Sequence, residues 1–225
     1  MPDSTWMQGG TVQAPDKTDK ALLWIKNNRD TVIGGLVITA AAAIFGVWVS
    51  MHYSGIREMA WKNLFIAQQT AFSGDYAGAA KQLDAIETNY RKTAAWGYSV
   101  MTRGDLLFRQ DKFAEAAAEY ARIAASGPED LAPFAIYNIA RSNEAAADMA
   151  GAQAQYRKFL AAYPDHFMAP EVHLSLAAVL DRSGGQAEAK AAYEKIVLLY
   201  PDTYWAAAAK SVLMPEQKTA KQPAK

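Results

Sequence analysis

Few side chains in this sequence are of a type and spacing that could do chemistry. His52, His166 and His173 are its three histidines, and it has no cysteine. A metal site asks for histidines three to five apart on a helix, or for thiolate companions. His166 and His173 are seven apart with Pro170 between them, and His52 stands at the end of an apolar run, so no metal site is expected. No serine, histidine and acid arrangement stands out, although a triad is defined by geometry rather than chain order. Gly34–Gly35 lies inside the apolar run and Gly184–Gly185 in a turn, and neither has the strand and further glycines of a phosphate cradle. We expect no catalytic residue and no cofactor. A membrane-tethered enzyme using His166, His173, Asp105 or Glu171 is the catalytic alternative.

Composition narrows the classes further. Lysine plus arginine is 23 and aspartate plus glutamate is 23, a formal net charge of zero. A nucleic-acid binder needs a basic surface to neutralise phosphates, so none is expected here. Without cysteine there is no disulfide scaffold, no thiolate ligand and no acylated anchor. A chain of 225 residues is long enough for one moderate core plus accessory segments.

The elements begin with a membrane candidate. Residues 31–56 carry no charged side chain, and TVIGGLVITAAAAIFGVWVS is rich in Ile, Val, Ala and aromatics. A helix of about 20 residues rises roughly 30 Å, the thickness of a bilayer core. Trp24, Trp48 and Tyr53 flank the run, where interfacial rings belong. We assign 31–53 as a transmembrane helix in the lipid bilayer. A cleaved signal sequence is the alternative, but the run exceeds the usual apolar core of one. Lys17, Lys20, Lys26 and Arg29 precede it while Arg57 and Lys62 follow, which puts the N-terminus in the cytoplasm. Residues 1–30 are then a cytoplasmic segment, partly disordered, with a short interfacial helix near Asp19–Asn28. Residues 54–213 form the exported domain and 214–225 a disordered tail.

The exported part repeats. Ala79, Ala116, Ala152 and Ala189 recur at spacings of 37, 36 and 37 residues. Leu83, Tyr120, Tyr156 and Tyr193 follow four residues later, and Ile86, Ile123, Phe159 and Ile196 three after that. Steps of four and three share one helix face. Ala67, Gly104, Ala140 and Ala177 lie twelve residues before each small residue, in a second helical stretch. Pro128, Pro164 and Pro201 stop three of the units, with Arg91 at that place in the first. Each unit reads as a helix hairpin that buries its face only by stacking on neighbours.

Two small residues twelve apart, an aromatic four later and a terminal proline resemble the tetratricopeptide pattern. The resemblance covers Ile56 to about Asp202 in four units, with Thr203–Leu213 as a capping helix. The expected fold is all-α: a single transmembrane helix followed by a tetratricopeptide-like solenoid of about four hairpins plus a cap. The resemblance implies a concave face lined by the first helix of each hairpin. Carried over position by position, it points to Trp61, Leu64 and Gln68, then Tyr98, Met101 and Asp105. It continues with Phe134, Tyr137 and Arg141, then Glu171, Leu174 and Ala178. Trp61, Tyr98, Met101, Phe134, Tyr137 and Arg141 form the candidate partner-binding groove, being of the types that anchor protein or peptide contacts.

The layout also resembles a narrower group. A polar leader, WIKNNRD at Trp24–Asp30, one membrane helix and then tetratricopeptide hairpins is similar to the YfgM-like ancillary subunits of the SecYEG translocon, which share a domain type with CpoB. That resemblance implies an inner-membrane anchor and a periplasmic domain working beside translocon subunits and chaperones. A cell-envelope scaffold for division or outer-membrane assembly is the alternative within the same class.

Overall fold

The computed structural model describes residues 17–214. The disorder expected of residues 1–16 and 215–225 lies outside the described residues. Among those described, the helices are α1 (Lys17–Asn27), α2 (Arg29–Phe72), α3 (Tyr76–Tyr90), α4 (Ala94–Arg109) and α5 (Phe113–Ser126). They continue with α6 (Ala132–Ala145), α7 (Met149–Ala162), α8 (Ala169–Arg182), α9 (Gln186–Leu199) and α10 (Tyr204–Leu213). The chain divides between Gly55 and Ile56 into two compact units, and α2 contributes to both.

In the first unit, Leu36, Val37, Ile38, Ile44 and Phe45 are exposed. An 18-residue window of α2 has a mean hydropathy of 2.3 and none of it is buried. By length and composition this helix is able to cross a membrane. Where its apolar run gives way to polar residues, the Trp48 ring stacks on His52 with centroids 5.5 Å apart. Helix α1 covers the short helix expected near Asp19–Asn28, with Leu22, Leu23 and Ile25 exposed.

The second unit is a stack of hairpins: the end of α2 with α3, then α4–α5, α6–α7 and α8–α9, closed by α10. From α3 onward each helix packs on its neighbours in chain order, as in a solenoid. The repeat explains the packing. Ala67, Ala140 and Ala177 are fully buried on the first helices, and Ala79, Ala116 and Ala152 on the second. Their missing bulk lets paired helices approach, and Leu83, Tyr120, Tyr156 and Tyr193 fill the space beside them. Gly104 shows how tight this is, since a Cβ there would stand 2.5 Å from the Tyr120 ring.

Turn chemistry recurs with the same period. The residue that reverses the chain within each hairpin is left-handed: Gly74 (φ 90°), Asp111 (φ 58°), Ala147 (φ 61°) and Gly184 (φ 83°). Asp75 and Asp148 then cap the second helix, accepting from Gly78 N at 2.8 Å and Gly151 N at 2.9 Å. Alanine is the misfit in this series, because a Cβ in the left-handed region costs about 1 kcal/mol or more. Ala147→Gly is therefore expected to stabilise the domain by about 0.5–1 kcal/mol, after the extra chain entropy of glycine is subtracted. A thermal melt should show a rise of about 1–3 °C. A fall would mean that the Ala147 methyl makes a contact worth more than the strain.

Between hairpins the chain is stopped by proline where the sequence has one. Pro128 sits against Gly97, whose added Cβ would stand 2.6 Å from the proline Cδ. The first hairpin lacks this proline, and Thr93 takes over, its Oγ1 donating to the Tyr90 carbonyl at 2.7 Å. Arg91 lays its guanidinium over the Trp96 ring, 5.8 Å from the centroid. Away from the first-helix face, Arg103 pairs with Asp84 at 2.6 Å, and Arg122 bonds Glu119 at 2.7 Å and also Glu87, tying α3 to α4 and α5. These half-exposed pairs add modest stability.

Candidate partner-binding groove

The first helices of successive hairpins present one face to a run of linked clefts. The largest of them, about 390 Å³, is lined by Phe108 of α4, Tyr137, Arg141 and Glu144 of α6, and Glu171, Ser175 and Arg182 of α8. A second, about 240 Å³, shares Phe108 and Arg141 with it and adds Asp105, Arg109, Tyr120 and Asn138. A third, about 200 Å³, shares Asp105 and Arg109 with the second and reaches Gln68, Phe72 and Thr102. The three form a groove crossing the hairpins.

At its centre Arg141 stacks on two rings, its guanidinium 5.3 Å from the Phe108 centroid and 5.9 Å from that of Tyr137. Tyr137 is half-buried and leans on Tyr156, ring centroids 6.0 Å apart. The core tyrosines reach through to this face. Tyr156 donates to Glu144 at 2.8 Å and Tyr120 donates to Asp105 at 2.6 Å. Glu144 also takes a hydrogen bond from Arg182 of α8, and Glu171 accepts from the Trp205 indole at 3.0 Å.

The electrostatics follow from this geometry. Burial first, then the carboxylate partner, pushes the Tyr120 and Tyr156 hydroxyls well above the usual phenol range. Burial and then Glu171 raise that of Tyr137. Burial raises the Asp105 carboxyl, against the Tyr120 hydrogen bond and the charges of Arg109 and Arg141. The phenols therefore stay protonated donors at neutral pH. The groove offers aromatic faces, hydrogen-bond donors and alternating charges.

The six residues expected in the groove fall in several places. Tyr137 and Arg141 meet in the central cleft. Trp61 and Tyr98 pair with ring centroids 5.1 Å apart, and the Tyr98 hydroxyl reaches Asp130 at 3.4 Å. Met101 is half-buried against the Trp96 and Tyr120 cluster. Phe134 meets His166 edge-on at 5.7 Å. Leu64 departs from the expected face: three residues beyond Trp61 it turns inward and is buried with Ala67, Leu83 and Ile86. Phe108, Arg109, Glu144 and Arg182 were not singled out in the sequence. Phe108 and Glu144 share a repeat phase, as do Arg109 and Arg182, so the period that located Arg141 could have found them.

The histidines lie apart from the groove. His166 and His173 line a different cleft, about 660 Å³, with Phe167, Pro170, Lys195 and Leu199. His166 Nδ1 accepts from Met168 N at 3.2 Å. His173 is half-buried near the Tyr200 ring, and burial, then Lys195, pushes its imidazole below the ordinary value. A depressed histidine favours the neutral folded form. Its contribution is present above the unfolded value of about 6.5 and is lost as pH falls through the folded one. The melting temperature of the wild type should fall between pH 7.5 and 5 more steeply than that of His173→Gln. Parallel curves would remove His173 from the account. Among the described residues no group of His, Asp and Glu side chains converges as a metal site.

Comparison with known proteins bears on this array. Residues 134–166 and 171–203 match the family model described as Tetratricopeptide repeat, corresponding to the hairpins α6–α7 and α8–α9. The fold is a tetratricopeptide-like solenoid. A solved tetratricopeptide repeat protein from Parabacteroides merdae ATCC 43184 is similar over 72% of this chain, with 15% identity and a TM-score of 0.59. This chain spans 61% of that neighbour's length. No curated protein matches the sequence. Tetratricopeptide repeats generally mediate protein–protein contacts, and proteins built from them are generally scaffolds rather than catalysts.

Proposed function

We propose that this protein is a membrane-anchored scaffold that holds a protein or peptide partner in the groove of its solenoid, without catalysis. The observation that carries the reading is the central cleft, where Arg141 lies across Phe108 and Tyr137 beside the Glu144–Arg182 pair. Stacked aromatics and a guanidinium supply large, rigid contact area with polar handles, the composition of binding hot spots. The anchor is the unburied apolar part of α2, for which a bilayer is the natural solvent. Anchoring raises the local concentration of the groove for partners at the same membrane.

The resemblance to YfgM-like subunits supports a finer reading. In it the domain lies in the periplasm and works beside the translocon and periplasmic chaperones. Purification of the full chain from cells in mild detergent tests this, with wild type and Arg141→Ala compared. Translocon subunits and folding factors that co-purify with the wild type and are lost from Arg141→Ala support it. Division or outer-membrane assembly proteins in their place would replace the secretion role. Partners retained in full by Arg141→Ala would overturn the groove as their site.

A further inference from the structure

The exposed flank of α2 in the solenoid carries aromatics that the internal helices do not. Phe65 is 64% exposed and Phe72 is 88% exposed. The matching positions on the later first helices are Thr102, Asn138 and Ser175 for Phe65, and Arg109, Ala145 and Arg182 for Phe72. Thr102 and Arg182 meet the preceding hairpin, through Gln68 and Glu144. Tyr98 receives the Trp61 ring at 5.1 Å, and Thr102 Oγ1 accepts from Gln68 of α2 at 3.2 Å. Small and polar side chains suffice there because a helix already covers them. In the second unit no hairpin precedes α2, and large rings stand in their place.

The spacing says what would cover them. Trp61, Phe65, Gln68 and Phe72 follow one another at four, three and four residues, the d-a-d-a ridge of a heptad seam. The ridge is about 16 Å long, the reach of three helical turns. The flanking charges argue against a second copy. Glu58 occupies the a position one heptad before Phe65, and Arg57 and Lys62 occupy the g and e positions beside it. All three are exposed. Pairing two copies in parallel would set Glu58 against Glu58 and Arg57 against Lys62. A different helix with acidic flanks meets both basic side chains with opposite charge.

We propose that this flank docks an amphipathic helix of another protein, apolar at its a and d positions and acidic at its e and g positions. It would lie where a preceding hairpin's first helix would be. The site adjoins the groove and shares Gln68 and Phe72 with its third cleft.

The test uses the full chain in detergent and two synthetic three-heptad peptides. Both have leucine at a and d, except one lysine at the a position level with Glu58. One carries glutamate at e and g, the other lysine. The glutamate peptide should bind about tenfold tighter, the combined effect of two exposed charge pairs. Phe65→Ser with Phe72→Ser should abolish binding and leave the melting temperature unchanged, because both rings are exposed. Lys62→Glu with Arg57→Glu should reverse the preference between peptides. Equal binding of the two peptides would overturn the proposal, as would binding that survives loss of both rings. Self-association of the full chain that disappears in the Phe65→Ser, Phe72→Ser variant would also overturn it, in favour of a second copy.

Discussion

Tyr156→Ala is expected to destabilise the solenoid by about 3–5 kcal/mol, the range for deleting a large buried ring. Tyr156 is fully buried, packed among Ala140, Ala152, Phe159 and Val172. Its ring also supports Tyr137 from beneath, and its hydroxyl holds Glu144. Alanine leaves a cavity between α6, α7 and α8 that a close-packed stack fills only in part. It also releases the carboxylate that pairs with Arg182 across two hairpins. Such a loss is a large fraction of the stability of an ordinary domain. Urea unfolding should show a lower midpoint with little change in slope. Tyr156→Phe separates the two contributions. It keeps the ring and should cost about 1–2 kcal/mol, since Glu144 is partly open to water and recovers hydration. An alanine variant as stable as the phenylalanine one would show that the ring does not support the hairpin junction.

The second large effect concerns binding. For a partner captured in the groove, Arg141→Ala is expected to cost about 2–4 kcal/mol, a weakening of roughly 30- to 1000-fold. Arg141 is exposed, so its removal should leave the melting temperature nearly unchanged. Arg141→Lys is expected to recover little. The guanidinium is planar and lies over both Phe108 and Tyr137, whereas an ammonium is a compact, strongly hydrated charge that stacks poorly. Full rescue by lysine would mean that charge alone matters, and that the stacked rings are support rather than contact.

Much of the solenoid was legible because its signals are local and periodic. The second helical stretch that the repeat places around Gly104 is α4 in the structure. The small residue, the ring four later and the apolar residue three beyond that all turn inward, as Ala152, Tyr156 and Phe159 do. Tyr137 and Arg141 could be placed on the groove face because the repeat phase carries over from one hairpin to the next. The end of the apolar segment was harder. Hydropathy falls after Tyr53, yet nothing between there and Phe72 breaks a helix, so α2 runs on into the first hairpin. A change of polarity does not end a helix; a proline or a capped glycine does. The remaining groove residues needed the stacking itself. Glu144 and Arg182 are 38 residues apart and meet only because α6 and α8 are neighbours on one face. Leu64 failed in the other direction, since a step of three from Trp61 rotates a side chain toward the core at this point of α2.

The central claim is that the groove across the first helices is where this protein meets its partner. In-cell photocrosslinking tests it most directly, with a photoreactive amino acid at Tyr137 and a control at Lys158, which is exposed on α7. Mass spectrometry would then identify the adducts. The account predicts a discrete protein adduct at Tyr137 that is absent at Lys158 and is lost when Arg141→Ala is added. The same adducts from both positions, or none from Tyr137, would contradict it.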